Sequence, residues 1–132
     1  LLRAMMRSLT TKYGLDQATE VLIGGDSAGG FATFMHIDAF ADHIHASAPH
    51  AKVLGMPDSG YWPDDTAQEF SSTFTSMFKM QNNGSYYGMV KNCKWKASNV
   101  SKCLFPQYFA DEIETPLFPL QSIYDPLQKG KE

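Results

Sequence analysis

The chain has 132 residues and a formal net charge of −3, with 43% hydrophobic and 19% charged residues. This length suffices for one domain with a real core, and the composition excludes a disordered chain. The charge gives no basis for nucleic acid or an anionic membrane as a partner, and no apolar run approaches the ~18 residues of a membrane span. Residues 1–9, LLRAMMRSL, do not form a signal peptide, because Arg3 and Arg7 interrupt the apolar run.

The pattern of apolar residues in the first half of the chain predicts strands that alternate with helices. Helices are expected at residues 2–12 and 28–41, and strands at 20–24 and 51–56, the second of which ends in a turn at 57–60.

The second half predicts an amphipathic helix at 65–80, a loop at 82–103, a short helix at 106–113 and a third buried strand at 115–125. Pro119 is unfavourable within that last strand, because proline has no N–H to donate to a neighbouring strand. The apolar stripe of the 65–80 helix, which includes Phe70 and Phe74, packs in the core or lines an acyl pocket. Strands separated by helices imply a parallel sheet covered by helices on both faces.

The first strand and the following helix are joined by Gly25-Asp26-Ser27-Ala28-Gly29, which fits the pattern G-x-S-x-G. In this strand–turn–helix context the pattern predicts a strained turn that lifts the Ser27 hydroxyl above the sheet edge. A Cβ at either flanking glycine should collide with the turn. The Ala28 amide is then half of an oxyanion hole at a helix N-terminus. The alternative is a glycine-rich turn that happens to carry a serine, whereas phosphate-loop and dinucleotide patterns do not fit.

A nucleophilic serine needs a histidine base, and the histidine needs a carboxylate, in the chain order Ser, acid, His for this turn. Asp125 follows the third strand and is the predicted acid, with Asp58 in reserve because it too follows a strand. Tyr61 and Trp62, at the same predicted edge, either contact substrate or pack in the turn.

The four histidines all precede Asp125: His36, His43, His45 and His50. His50 is the least implausible substitute base, but its chain order is wrong. A metal site among His36, Asp38, Asp42, His43 and His45 is not expected, because the spacing matches no metal motif and a solvated helix face explains them better.

Two cysteines, Cys93 and Cys103, lie ten residues apart between two glycosylation sequons at Asn83 and Asn99. This combination favours a local disulfide in a secreted protein over two free thiols.

Several motifs in order carry a resemblance to a known family: GDSAGG, FATFMHIDAF, PDSGYW, the two cysteines, FPQYF, TPLF and YDPLQ. From about Leu9 to Gln128 the chain resembles the pectin acetylesterase/Notum family of carboxylic ester hydrolases. The resemblance implies an α/β-hydrolase fold, secretion, no cofactor, and hydrolysis of an acetyl ester on a pectin-type glycan or a fatty acyl ester on a protein. It also implies Ser27 as nucleophile, Asp125 as triad acid and Ala28 as oxyanion donor.

Two features limit this resemblance. Plant members usually carry cysteine where this chain has Asp26, and GDSAGG with DPL is also typical of hormone-sensitive-lipase-like esterases. Because no histidine follows Asp125 and the family's upstream glycine-rich loop is missing, we expect residues 1–132 to be the central piece of one α/β-hydrolase domain. The rival from another class is a glycan- or lipid-binding relative that kept the fold and lost the base.

Overall fold

The structure, a computed structural model, describes residues 2–64, 69–82, 90, 93–95 and 99–125. The helices are α1 (Leu2–Tyr13), α2 (Ala28–His45) and α3 (Glu69–Asn82), and the strands are β1 (Glu20–Asp26) and β2 (Lys52–Asp58). The predicted order of these five elements is therefore confirmed, although α2 and both strands are longer than expected. Pro57 and Asp58 belong to β2 rather than to the predicted turn, and residues 65–68 of the predicted third helix lie outside the described residues.

β1 and β2 form a parallel pair, with Glu20 level with Lys52 and Asp26 level with Asp58. α2 connects them and packs across one face of the pair, where its Ile37 and Ile44 are each 1% exposed. Met6 of α1 joins the same core cluster. The carboxyl ends of both strands consequently meet at one edge of the sheet, directly before the first turn of α2.

A third parallel segment, residues 116–120, lies along the other side of β2. Phe118 and Leu120 donate their backbone N–H groups to the carbonyls of Gly55 and Pro57, at 2.8 and 2.9 Å. Alternate N–H groups of a strand point to opposite sides, so Pro119 faces away from β2 and its missing N–H costs no bond to that strand. The predicted strand 115–125 is shorter than expected, because only Leu117 and Leu120 form bridges.

The entry to this third segment is held by a buried carboxylate on α2. Asp38 is 7% exposed, and its Oδ1 accepts bonds from the backbone N–H and the hydroxyl of Thr115, at 2.9 and 2.8 Å. Its Oδ2 accepts the backbone N–H of Glu114 at 3.2 Å. The expectation of a solvated helix face was therefore wrong for Asp38. A carboxylate can be buried when backbone and hydroxyl donors replace its water, and these three do so here.

Cys93 and Cys103 form a disulfide, so the predicted pairing is confirmed. Phe109 is fully buried in the same apolar cluster as the two cysteines, whereas the equally buried Phe105 packs in a second cluster with Phe78 and Leu104. The predicted short helix at 106–113 is instead two 3₁₀ turns, Pro106–Tyr108 and Ala110–Glu112. Across the described ranges, no helix combines the length and the apolar character needed to cross a membrane.

Candidate active site

Ser27 lies at the corner between β1 and α2 in a backbone conformation that residues other than glycine rarely adopt. Its φ is 55° and its ψ is −115°. Two backbone bonds hold it there: its N–H donates to the carbonyl of Asp58 at 2.9 Å, and its own carbonyl accepts from Phe31 N–H at 2.9 Å. The side chain is exposed and makes no cap to the helix. A serine at a helix N-cap ordinarily bonds the helix backbone, so this hydroxyl is oriented outward instead.

Close backbone contacts explain why glycines surround this corner. A Cβ at Gly25 would lie 2.5 Å from the carbonyl carbon of Gly29, and a Cβ at Gly30 would overlap the carbonyl oxygen of Asp58. The predicted collision at Gly29 itself was wrong, because a Cβ there would meet nothing within 4 Å. The second steric requirement falls one residue later, where α2 crosses the end of β2.

Ala28 is the first residue of α2, and it is exposed. The first N–H groups of a helix have no acceptor within the helix, and the helix dipole places partial positive charge there. This end of α2 thus provides donors and favourable potential next to the Ser27 hydroxyl. The role of the Ala28 amide as an oxyanion donor remains a prediction.

Asp58 contributes to the corner through its backbone and through a local side-chain bond. Its Oδ1 accepts the hydroxyl of Ser59 at 2.8 Å, and Ser59 has a φ of 51°. A Cβ at Gly60 would overlap the Gly30–Phe31 peptide. The chain therefore turns sharply after β2 directly against the first turn of α2.

Asp125 is at the same sheet edge as Ser27. Leu120 is level with Asp58 in the neighbouring strand, and Asp125 follows five residues later. Asp125 Oδ2 accepts a bond from the side-chain amide of Gln121, Nε2, at 2.8 Å. Gln121 Oε1 in turn accepts the backbone N–H of Tyr61 at 3.1 Å. The sequence analysis missed Gln121, and no local pattern identifies a contact between residues 61 and 121.

The two aromatic residues after Gly60 are packed to different extents. Trp62 is 8% exposed, stacks on Phe31 with ring centroids 5.0 Å apart, and donates its Nε1–H to the carbonyl of Ser59. Tyr61 is half-buried, with its ring edge-on to Phe34 at 5.9 Å. These contacts match the packing alternative for Trp62, and a substrate contact by either ring stays a prediction. Phe74 of α3 packs edge-on against Phe31 and Trp62, which extends this aromatic cluster.

The histidines lie away from this edge. His43 and His45 are in the last turn of α2, and His45 Nε2 is 3.0 Å from the carbonyl oxygen of Ala51. His50 lies two residues before the start of β2, at the edge opposite Ser27. His36 is nine residues along α2, about 13 Å from the corner, and burial lowers the pKa of its imidazole from the usual 6.5. The structure thus gives no support to His50 as a substitute base.

Comparison with known proteins decides the family. The model of the pectinacetylesterase family matches residues 1–131. The chain belongs to the pectin acetylesterase family. Among curated relatives of this family, it is 33% identical over 116 residues to pectin acetylesterase 5 of Arabidopsis thaliana, covering 85% of this chain and 26% of the relative. It is 25% identical over 138 residues to palmitoleoyl-protein carboxylesterase notum1 of Xenopus laevis, covering 97% and 28%.

The fold of this family member is confirmed by solved structures. The chain superposes on the Wnt deacylase Notum from Drosophila with a TM-score of 0.78 at 21% identity, covering 97% of this chain and 39% of the other. Its parallel strands and flanking helices are part of an α/β-hydrolase fold. The chain spans about a quarter to a third of the length of the curated relatives it matches.

Proposed function

We propose that this pectin acetylesterase family chain carries the nucleophile and the acid of a serine carboxylesterase. The observation that supports it most is the exposed Ser27 hydroxyl at a strained strand–helix corner, with Asp125 at the same sheet edge. Asp125 lies two strands away from Ser27, and neighbouring strands are ~4.8 Å apart. The proposal places an imidazole between the two side chains.

In the proposed reaction, Ser27 Oγ attacks the carbonyl carbon of the ester while a histidine removes its proton. The Ala28 N–H donates to the oxyanion, and Asp125 holds the imidazole in the required orientation. The protonated histidine then gives its proton to the departing alkoxide, which leaves as the alcohol. Water, activated by the same histidine, releases the acid and restores Ser27.

We place the histidine outside residues 1–132. All four histidines of the chain lie along α2 or before β2, and none is at the Ser27 edge. The remaining oxyanion donors belong to the same proposal, since Ala28 would supply one side of the hole. No cofactor is needed for this chemistry, because the serine, histidine and carboxylate supply both the nucleophile and the proton transfers.

As substrate we favour an acetyl ester on a pectin-type glycan over a fatty acyl ester on a protein. The family description and the higher identity to pectin acetylesterase 5 support the glycan. A series of p-nitrophenyl esters of increasing acyl length distinguishes the two. Preference for the acetyl ester, with acetate release from acetylated pectin, is expected; preference for long acyl chains would favour the protein substrate.

A secreted protein is the corresponding proposal for location. The disulfide between Cys93 and Cys103 requires an oxidising compartment to persist. Asn99 is an exposed sequon residue, and the hydroxyl of Ser101 donates to its Oδ1 at 2.6 Å. Both support glycosylation at Asn99, whereas the sequon at Asn83 lies outside the described residues.

The decisive experiment replaces Ser27 in the full-length protein that carries these residues. Ser27→Ala should lower p-nitrophenyl acetate turnover by roughly 10⁴-fold or more and abolish labelling by a fluorophosphonate probe, because no other group can form the acyl-enzyme. Ser76→Ala, on the exposed side of α3, is the matched control and should change neither.

The same assay identifies the acid. Asp125→Asn should reduce kcat by about 10⁴-fold, as in a well-studied triad in which the amide fixes the wrong imidazole tautomer. Asp58→Asn should have a much smaller effect; the reverse order would assign the acid to Asp58. A full-length protein that hydrolyses no ester yet binds glycan or lipid would instead be the non-catalytic relative.

A further inference from the structure

We propose that Gln121 is a positioning residue that orients the carboxylate of Asp125 for its histidine partner. The inference rests on the proposed function, in which Asp125 is the triad acid. It comes from a pair of hydrogen bonds made by one side-chain amide. Gln121 Nε2 donates to Asp125 Oδ2 at 2.8 Å, and Gln121 Oε1 accepts the N–H of Tyr61 at 3.1 Å.

Asp125 needs such a support because it lies beyond the sheet. The last ladder bonds of the third segment are made by Leu120, to Pro57 and Ser59. The backbone N–H of Asp125 donates to the carbonyl of Ser122, outside the sheet, at 3.4 Å. A triad acid must hold its oxygens within a fraction of an ångström of the productive geometry. Gln121, adjacent to the last sheet residue, reaches from the ordered strand to the carboxylate four residues later.

The second bond connects Gln121 to the segment that also fixes the nucleophile. Tyr61 follows the sharp turn at residues 59–60, and the carbonyl of Asp58, the last residue of β2 before that turn, accepts the Ser27 N–H. The turn also contacts the first turn of α2 through Gly60 and Gly30. The positions of Ser27 and Asp125 are thereby set by one short segment, with Gln121 as the link on the acid side.

The amide is suited to this task because it has a donor and an acceptor on the same planar group. The donor end faces the carboxylate and the acceptor end faces a backbone N–H. A glutamate could still accept from Tyr61 N–H, but it would present a second negative charge to Asp125. A glutamate at position 121 would therefore keep the anchor to Tyr61 and lose the bond that orients Asp125.

The experiment measures ester hydrolysis by two variants of the full-length protein. Gln121→Met has a similar length and removes both hydrogen bonds. It should lower kcat roughly 10- to 100-fold with little change in KM, the size typical of residues that orient a catalytic ligand. Gln121→Glu keeps the bond to Tyr61, yet its kcat should be at least as low, because like charges repel at the acid. Recovery of wild-type kcat by Gln121→Glu would overturn the proposal.

A double-mutant cycle with Asp125→Ala gives an independent readout. If Gln121 acts through Asp125, then Gln121→Met should cost less than about threefold once the acid is gone. An equal fold-loss in both backgrounds would mean that Gln121 supports the fold in general and would overturn the proposal. This readout stays informative even if Gln121→Met lowers the overall stability.

The matched control is Gln17→Met. The Gln17 amide also donates to an aspartate, Asp16 Oδ2, at 3.2 Å, but it is exposed and precedes β1 at the opposite sheet edge. Its kcat should remain at the wild-type value. Ser27→Ala distinguishes a failure of the proposed function from a failure of the Gln121 proposal. Activity that survives Ser27→Ala refutes the proposed function. If activity depends on Ser27 but the losses caused by Gln121→Met and Asp125→Ala are additive, only the role of Gln121 is refuted.

Discussion

At the scale of single residues, the strained conformation of Ser27 depends on neighbours that cannot carry a side chain. Its φ of 55° and ψ of −115° would relax in a free peptide. They persist because Asp58 accepts the Ser27 N–H and because α2 begins at once against the turn after β2. The local pattern GDSAGG was enough to predict this corner, since its glycines lie within a few residues of Ser27, whereas the Asp58 carbonyl that also holds Ser27 comes from a distant part of the chain.

The neighbouring glycines Gly29 and Gly30 should respond differently to replacement by alanine. Gly30→Ala should destabilise the full-length protein by roughly 1–3 kcal/mol and reduce turnover, because the new Cβ overlaps the Asp58 carbonyl that holds Ser27. Gly29→Ala has open space and should be neutral or stabilising by up to about 1 kcal/mol, since alanine is the better helix former. Urea unfolding of both variants tests this, and equal losses of stability would contradict it.

Gln121 shows why other parts of the site escaped prediction. One of its partners, Asp125, lies four residues later in the chain, whereas the other, Tyr61, lies sixty residues earlier. Sequence patterns report periodicity and turn chemistry over a few residues, and they carry no information about which loops meet. Asp125 could be proposed as the acid because it follows a strand, whereas its contact with Gln121 could be found only in the packed structure.

At the scale of elements, the third strand segment is the least regular part of the sheet and depends on side-chain anchoring. The sequence predicted a strand over 115–125, but Pro57 cannot donate to it and only residues 116–120 pair. Asp38 compensates from α2 by binding the N–H groups of Glu114 and Thr115. The spacing of acidic and histidine residues along α2 suggested a solvated face. The burial of Asp38 could not be predicted, because the segment that covers it lies 76 residues later in the chain.

This anchoring predicts a large effect for a residue outside the proposed machinery. Asp38→Ala should destabilise the full-length protein by about 2–4 kcal/mol, because two backbone N–H groups and a hydroxyl lose their buried acceptor. Asp42→Ala, on the exposed side of the same helix, should cost under about 1 kcal/mol. Guanidinium unfolding measures both, and similar losses would show that Asp38 does not hold the third segment.

At the scale of the whole molecule, the described residues leave one side of the sheet open. The core lies between the strands and α2, whereas on the opposite face Leu22 is 60% and Phe118 is 68% exposed. An apolar cavity of about 410 Å³ also opens between α1, β1 and α2. Sheets in this fold class are covered by helices on both faces, and the expected cover on this side is not among the described residues.

The positions of the histidines predict that residues 1–132 alone are catalytically silent. The chain contains the proposed nucleophile and the proposed acid, but its histidines lie along α2 or at the opposite sheet edge, so Ser27 has no base to remove its proton. Hydrolysis of p-nitrophenyl acetate by the isolated chain should therefore equal that of its Ser27→Ala variant, while the full-length protein turns over the same ester. A Ser27-dependent burst from the isolated chain would contradict this, because it would require one of His36, His43, His45 or His50 to act as the base.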